Sequence, residues 1–476
     1  MTLTEEKAKG RVYTPPGIVK TILDLAGYRG ESVLQKHAID NSCGDGAFLT
    51  EIVARYCRAA RRAGYSRGRL TRELGVYLHG IEIDPAEHRK ACRNADAAAR
   101  SFGAGGVEWD ILCADALAVG RYDGRIDFVL GNPPYVRIHN LSDSGGAVRR
   151  LRFTRSGMTD LYLAFYEIGL KMLRPGGTLG YITPSSLFSS RAARDLRRHL
   201  IGENLIRKVV DLKHARPFGA SAYTAILILR GGTRGARSVY FEYDPAAEKA
   251  RRISCLAPDD FCIGGDFYFG AKPDLTRLAE IFAADLTGAP LDVKNGLATL
   301  CDPFFIGDLP FRDRVIPVVK ASTGHRAKCL FPYDRQGRLL PYAELAQSGA
   351  LDTYYRENEP RLRNRALTDP EQWYGFGRTQ GILDVYRKKY SVCPIVRRPA
   401  DLKLTLCPPG TGVYGGLYIL TDLDGPVLRD ILCTDGFIRY ASLLGKYKSG
   451  GYYAFSSKDL KRYLVYSLAE RAARGL

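Results

Sequence analysis

The stretch AIDNSCGDGAFL, residues 38–49, decides the fold expected for this 476-residue chain. An apolar strand pattern over 37–41 runs into a turn containing Gly44 and Gly46, and a helical pattern follows over 46–63. Glycine lets the chain turn sharply and brings backbone N–H groups close to a ligand. The stretch therefore predicts a strand–turn–helix unit of a ligand-binding α/β domain.

Outward from this turn, apolar strands alternate with helical stretches such as 161–173, which predicts a doubly wound α/β domain. The predicted strands lie at 37–41, 77–83, 108–113, 126–131, 177–183, 208–212 and 224–230. The last two are joined only by KHARPFGASAY, which is too short for a helical crossover, so we expect them to pair antiparallel. This pattern predicts a Rossmann-like, seven-stranded mixed sheet. A short strand-like piece follows at 239–243.

The composition changes near residue 246, where the chain becomes rich in Tyr, Gly, Pro and basic residues. We therefore predict two domains: a cofactor-binding catalytic domain over 1–245, and a mixed α+β domain over 246–476. Residues 246–290 are expected to connect them.

The bulk composition limits the class of protein. A net charge of +19 suggests a polyanionic partner such as nucleic acid. The 11 cysteines are scattered with no CxxC pair, so no metal site is expected and a reducing cytoplasm fits. We find neither an apolar run of membrane-spanning length nor a secretory signal, and expect a cytoplasmic protein.

Two acidic residues stand at predicted strand ends: Glu82 in YLHGIEIDP (77–85) and Asp115 in ILCADAL (111–117). An acid at the end of the second strand is positioned to hold the ribose hydroxyls of a nucleoside-containing cofactor. The glycine turn lacks a full GxGxxG pattern and no lysine follows it, which disfavours a dinucleotide and excludes a P-loop. The pattern favours S-adenosylmethionine, a cofactor without phosphates.

The fourth predicted strand ends in DFVLGNPPYVR, residues 127–137. An exocyclic amino group on a planar base is a poor nucleophile, because its lone pair is delocalised into the ring. The side-chain carbonyl of Asn132 and the backbone carbonyl of Pro133 could accept both of its N–H groups and stabilise the developing positive charge. Pro133 fixes its own φ and Pro134 holds it extended, while Tyr135 offers a ring for stacking.

These motifs, in the order GRVYTPPGIV, DNSCGDGAF, GIEID, CADAL, GNPPY and DLYLAFYEIGLKMLRPGGTLGYITPSSLF, resemble the amino-methyltransferases of DNA. More closely, they resemble the adenine-specific (N6) enzymes of bacterial restriction–modification systems, the NPPY class typified by the TaqI methyltransferase. The resemblance covers about residues 10–245. It implies a site-specific DNA methyltransferase followed by a target-recognition domain.

The resemblance assigns roles residue by residue. Thr14 lies against the cofactor, and Pro15 suits the first turn of a helix that Thr14 caps. Phe218 in ARPFGASAYTAILIL stacks on the flipped target base, on the side opposite Tyr135. Tyr223 is the alternative residue for this stacking role. The motif at 40–43 lacks the Pro and second Gly of many relatives. The cofactor-binding residues are Thr14, Asp40, Ser42, Cys43, Gly44, Glu82, Ile83, Asp115, Ala116, Asn132 and Phe165.

A base stacked in a duplex is out of reach, so this chemistry implies base flipping and a partner of double-stranded DNA. Basic groups must hold the phosphates, and Arg and Gln suit base reading. The DNA-binding residues we expect are Arg137, Arg149, Arg150, Arg152, Arg155, Lys320, Ser322, Arg378 and Gln380. We further expect a monomer, with any cognate restriction endonuclease encoded separately.

Other reactions use the same chemistry on planar amines or amides. N4-cytosine DNA methyltransferases more often carry Ser in place of Asn132. Protein-glutamine methyltransferases have a small domain before the catalytic one and nothing large after it, the reverse of this layout. An RNA methyltransferase remains an alternative. A catalytically dead DNA-binding module is disfavoured by the intact motif at 132–135 together with Glu82 and Asp115.

Overall fold

The structure is a computed structural model, and it describes residues 13–138, 148–155, 159–218, 222–232 and 235–475. The chain divides into two compact units, Met1–Thr276 and Arg277–Leu476. The division falls inside the stretch 246–290 that the sequence predicts to be connecting.

The first unit combines a large sheet with helices. Its strands are β1 Ala38–Asp40, β2 Leu78–Glu82, β3 Asp110–Cys113, β4 Ile126–Gly131, β5 Leu173–Pro184, β6 Ile206–Asp211, β7 Thr224–Arg230, β8 Ser238–Asp244, β9 Lys249–Leu256, β10 Cys262–Ile263 and β11 Asp266–Phe267. Its helices are α1 Pro16–Ala26, α2 Ala47–Arg62, α3 Arg67–Tyr77, α4 Pro85–Arg100, α5 Tyr162–Met172, α6 Arg194–Gly202 and α7 Pro258–Phe261. Helix α8 Lys272–Ala283 crosses the boundary between the units.

Within the described residues the main sheet has nine strands in the order β3-β2-β1-β4-β5-β7-β6-β8-β9. Strands β1 to β5 pair in parallel, whereas β7 runs antiparallel to both β5 and β6, as the short connection predicts. All seven predicted strands are present, and the strand-like piece predicted at 239–243 is β8. The sheet of the described residues has nine strands rather than the predicted seven, because β8 pairs with β6 and β9, which lies past residue 245, pairs with β8. Strand β9, KARRISCL, lacks the apolar signature of a core strand, because it forms an edge that charged side chains protect.

The carboxyl ends of β1 and β4 meet where the strand order reverses, which is the usual ligand site of such sheets. Two glycines allow close packing near this point. A Cβ on Gly131 would lie 2.6 Å from Oδ1 of Asp40, so glycine lets the ends of β4 and β1 meet. Gly46, which precedes α2, has a φ of 91°, and a Cβ there would lie 3.0 Å from the Cα of Ala91, so glycine lets the turn approach α4.

Helix α1 begins at Pro16 with Pro15 as its N-cap, and no side chain caps it. The prediction that Thr14 caps this helix is therefore wrong. The physical reason is that the Thr14 hydroxyl is used elsewhere, because it accepts a hydrogen bond from the side chain of Asn132.

The second unit is a mixed α+β domain. Its strands are β12 Leu291–Asn295, β13 Ile306–Gly307, β14 Val315–Lys320, β15 Arg326–Leu330, β16 Lys389–Val392, β17 Ile395–Val396, β18 Leu404–Cys407, β19 Gly412–Tyr414, β20 Leu417–Thr421, β21 Tyr447–Lys448 and β22 Tyr452–Ala454. Its helices are α9 Asp302–Phe305, α10 Tyr342–Leu345, α11 Gly349–Arg363, α12 Gly425–Leu432, α13 Asp435–Leu443 and α14 Ser457–Ala473.

These strands form separate small sheets, in the orders β12-β20-β16-β18, β13-β15-β14-β19 and β17-β22-β21. Their core is rich in aromatic side chains such as Phe304, Phe305 and Tyr355, which explains the irregular, Tyr-rich sequence pattern. None of the helices in the described part of the chain combines the length and apolar character needed to cross a bilayer.

Candidate active site

A cavity of about 550 Å³ opens at the carboxyl ends of β1, β2, β3 and β4. Every residue that the sequence analysis assigns to cofactor binding lines it: Thr14, Asp40, Ser42, Cys43, Gly44, Glu82, Ile83, Asp115, Ala116, Asn132 and Phe165. Pro133, Pro134 and Tyr135 line the same cavity. The structure thus brings together residues from six separate motifs.

Glu82 is fixed at the end of β2 by two backbone N–H groups. Gly44 donates to Oε2 at 2.8 Å, and Asp84 donates to Oε1 at 2.9 Å. A carboxylate oxygen accepts more than one hydrogen bond, so both oxygens can still accept from a diol. The contact also joins the glycine turn to the second strand.

The cavity wall is acidic. Among the described residues that line the cavity there is no Lys, Arg or His, while the acids are Asp40, Asp45, Glu82, Asp84, Glu87 and Asp115. Such a wall would repel a phosphate and suits a ligand that carries positive charge. Ile83, whose side chain is 65% exposed, offers an apolar face beside Glu82. The residues present therefore fit S-adenosylmethionine, which has a diol, a planar base and cationic groups.

Asp40 does not add to this negative charge. It is 1% exposed, and burial raises its pKa to about 8 although a hydrogen bond from the Ser42 N–H opposes the shift. Burial therefore favours the neutral form of Asp40, and its Oδ1 shapes the turn by accepting from the N–H of Ser42.

Asn132 is held from two sides. Its Nδ2 donates to Oγ1 of Thr14 at 3.1 Å, and its backbone carbonyl accepts from Oγ of Ser42 at 3.4 Å. Its side-chain oxygen Oδ1 is buried. The hydrogen bond to Thr14 fixes the orientation of the Asn132 amide, whose only acceptor atom is Oδ1.

Tyr135 is oriented by its hydroxyl, which donates to the carbonyl of Ile182 on β5 at 3.0 Å. Burial raises the pKa of this phenol, so it stays neutral. Phe218 lies 6.4 Å from Tyr135 between ring centroids, with the planes at 77°, so the two rings meet edge to face. The rival Tyr223 is engaged elsewhere, because its hydroxyl accepts from Arg216 at 2.6 Å.

Asp115 and Phe165 line the wall formed by β3 and α5. The Asp115 carboxylate accepts from the backbone N–H of Leu117 at 2.9 Å and caps the short 3₁₀ turn Ala116–Ala118. Phe165 is 6% exposed on α5. The Asp115 side chain therefore caps this turn and also lines the cavity.

The predicted DNA-binding residues lie at the surface of their own units. Arg137, Arg149, Arg150, Arg152 and Arg155 are all exposed in the first unit, as are Lys320, Arg378 and Gln380 in the second, whereas Ser322 is half-buried.

Three of these side chains already have structural partners. The Arg152 guanidinium lies 3.5 Å from Nδ1 of His199. Arg378 donates to the carbonyls of Ala366 and Gly377 at 2.8 Å, and Gln380 donates to the carbonyl of Gly296 at 2.7 Å.

Sequence reasoning missed Tyr13 and Glu87, which also line the cavity. The Tyr13 hydroxyl donates to Oε2 of Glu87 at 3.3 Å and ties the segment before α1 to α4. Tyr13 stands directly before the quoted TPP motif, which is a usable signal. The sequence gives no comparable signal for Glu87, because acidic residues are common in the first turn of any helix.

Three features define the class of protein: the strand order, the acidic cavity at the point where this order reverses, and the fixed Glu82. Together they are those of an S-adenosylmethionine-dependent methyltransferase of Rossmann-like fold. Comparison with known proteins narrows this class. Residues 80–218 match the family described as Eco57I restriction-modification methylase.

The type II methyltransferase M.PaeR7I of Pseudomonas aeruginosa is 30% identical over 413 residues, covering 77% of this chain and 70% of the relative. M.BstVI of Geobacillus stearothermophilus is 27% identical over 417 residues, and the match covers 77% of this chain and 73% of the relative. The chain therefore belongs to the type II restriction–modification methyltransferases, which are S-adenosylmethionine-dependent DNA methyltransferases.

Among solved structures, the type IIL restriction–modification enzyme MmeI in complex with DNA is similar, with a TM-score of 0.64 and 13% identity. The match covers 96% of this chain and 68% of that one. At this identity the similarity shows the fold alone.

Proposed function

We propose that the protein transfers a methyl group to the N6 amino group of an adenine flipped out of double-stranded DNA, as the NPPY-class modification component of a restriction–modification or related defence system. One observation carries the proposal. The motif at 132–135 lines the same cavity as Glu82, and the Asn132 amide donates a hydrogen bond from Nδ2 to Oγ1 of Thr14.

When bound, S-adenosylmethionine supplies an electrophilic methyl group on its sulfonium. Oδ1 of Asn132 and the carbonyl of Pro133 accept the two N–H groups of the target amino group, which localises its lone pair toward the methyl group. Pro134 keeps Pro133 extended, so both acceptors are preset. The extra proton becomes acidic only after transfer, so no strong base is required.

The cofactor is held by side chains that differ in chemistry. Glu82 would accept from the two ribose hydroxyls, and Asp115 would accept from the amino group of the cofactor's adenine. Ile83 and Phe165 would cover the faces of that base. The turn residues Ser42, Cys43 and Gly44, together with Thr14, Asp40 and Ala116, shape the rest of the wall.

The target base is clamped between Tyr135 and Phe218. A base stacked on two rings needs them roughly 7 Å apart and parallel, at twice a stacking distance of about 3.5 Å. Because the rings lie 6.4 Å apart and edge to face, Phe218 must turn when the base enters. Stacking of about 1–3 kcal/mol per base then offsets part of the unstacking cost.

Phosphates are contacted by Arg137, Arg149, Arg150 and Arg152, and bases by Lys320, Arg378 and Gln380. MmeI, whose fold is similar, is described in complex with DNA, which supports DNA as the substrate. The backbone hydrogen bonds of Arg378 and Gln380 would hold these side chains ready for contact. We propose that the protein acts as a cytoplasmic monomer and that any cognate endonuclease is a separate chain.

The test incubates the protein with S-adenosylmethionine and unmethylated plasmid, and then maps modified positions by long-read sequencing. We expect N6-methyladenine at one short sequence. Modification at cytosine N4 would support the alternative DNA reaction, and methylation confined to RNA or protein would overturn the proposal.

A further inference from the structure

A surface loop in the second unit presents cationic and apolar side chains together. In residues 378–388, which we call the anchored loop, Leu383 is 68% exposed and Tyr386 is 37% exposed. Arg387 and Lys388 are exposed as well. The acid of this segment, Asp384, is buried. One guanidinium N–H group of Arg387 donates to Oδ1 of Asp384 at 3.3 Å, and its other N–H groups and Lys388 stand beside the exposed apolar side chains.

A buried lysine holds the loop from beneath. Lys389 is 1% exposed, and its ammonium group donates to three backbone carbonyls, those of Asp384, Val385 and Arg387, at 2.6 to 3.0 Å. Burying an ammonium group is costly unless each N–H finds an acceptor, and here all three do. Lys389 thus fixes the path of the backbone between the exposed side chains.

Asp384 provides a second anchor. Its Oδ2 accepts from Nζ of Lys294 and from the hydroxyl of Tyr418, both at 2.8 Å. Gln380 adds a third anchor through its bond to the carbonyl of Gly296. A loop with three buried or backbone anchors keeps its exposed side chains in place before a partner arrives, which lowers the entropy lost on binding.

We propose that the anchored loop is a preformed contact surface for duplex DNA, with Arg387 and Lys388 at phosphates and Leu383 and Tyr386 against bases and sugars. Cations contact phosphates, while apolar side chains contact groups such as the thymine methyl. The Arg335 guanidinium lies 5.7 Å from the centre of the Tyr386 ring and adds a further cation at this surface. The inference rests on the proposed DNA methyltransferase function.

The test measures binding of two fluorescent duplexes of equal length, one with the sequence that the wild-type protein methylates and one scrambled, over a range of salt concentrations. Lys388→Ala should weaken binding to both duplexes and reduce the slope of log affinity against log salt by about 1. Leu383→Ala and Tyr386→Ala should each weaken binding to the methylated sequence about tenfold and leave the slope unchanged.

Two variants serve as matched controls. Lys403 is an exposed cation before β18, at the end of the β16–β18 pair away from the loop. Val76 is an aliphatic side chain that is 48% exposed in the first unit. Lys403→Ala and Val76→Ala should bind both duplexes like the wild type. Cofactor affinity and melting temperature should stay unchanged in all five variants.

The inference is overturned if the three loop variants bind and methylate DNA like the wild type. It is also overturned if they keep DNA binding and instead lose association with a nuclease subunit, because the loop would then be a protein interface. Failure of the proposed function has a different signature, since the wild-type protein itself would methylate no duplex.

Discussion

Replacing Thr14 by Val should slow methyl transfer, because it removes the acceptor that holds the Asn132 amide. Thr14 is 7% exposed, and its Oγ1 lies 3.1 Å from Nδ2 of Asn132. Valine has nearly the same shape without the hydroxyl, so packing is preserved while the hydrogen bond is lost.

The size of the effect follows from the burial of this contact. Loss of a hydrogen-bond partner from a buried donor costs about 1–3 kcal/mol. The amide can recover that energy only by rotating, which moves Oδ1 away from the target amino group. If the full cost enters the barrier, the rate falls about 5-fold to 150-fold, because about 1.4 kcal/mol corresponds to a factor of ten.

The assay is a single-turnover measurement of labelled methyl transfer to DNA, with enzyme and cofactor in excess. Because Thr14 also lines the cofactor cavity, cofactor affinity is measured separately by calorimetry. Thr14→Ser keeps the hydroxyl and should transfer methyl groups at close to the wild-type rate. Equal rates for the Val and Ser variants would refute the reasoning.

Three other changes have defined outcomes. Glu82→Gln should weaken cofactor binding about tenfold, since an amide has one acceptor oxygen; unchanged affinity in calorimetry would contradict this role. Burial raises the pKa of Asp40 from 3.8 to about 8, so wild-type stability should fall as pH rises through that window; Asp40→Asn should flatten this dependence in urea titrations, and an unaltered slope would argue against it. Combined Arg149→Ala and Arg150→Ala should lower the salt slope of DNA binding by about 2 without changing the methylated sequence, and an unchanged slope would exclude phosphate contact.

Much of the first unit could be predicted because its strands are buried and bounded by turn residues. The turn at Gly44 and Gly46 and the seven central strands were readable for this reason. Strand β8 was readable as the strand-like piece at 239–243, whereas β9 was harder to predict because it is an edge strand that carries charged side chains. The second unit consists of small sheets with aromatic cores. Such sheets give no regular spacing of apolar residues along the sequence from which they could be predicted.

The candidate site was predictable where a residue type has few other uses at its position. Asn132, Glu82 and Asp115 follow strands, and the structure places them around one cavity. The bond between Thr14 and Asn132 joins residues far apart in sequence, so no local pattern reveals it. The sequence pointed to Arg378 and Gln380 in the anchored loop, but it did not show how the loop is held, because Lys389 looks like one more surface lysine until its burial is known.

The most direct test of the central claim is mass spectrometry of the nucleosides released from plasmid DNA after reaction with the wild-type protein or with Asn132→Ala. We predict N6-methyladenine with the wild type, and none with the variant although the variant still binds DNA and cofactor. N4-methylcytosine from the wild type, or undiminished N6-methyladenine from Asn132→Ala, would contradict the claim.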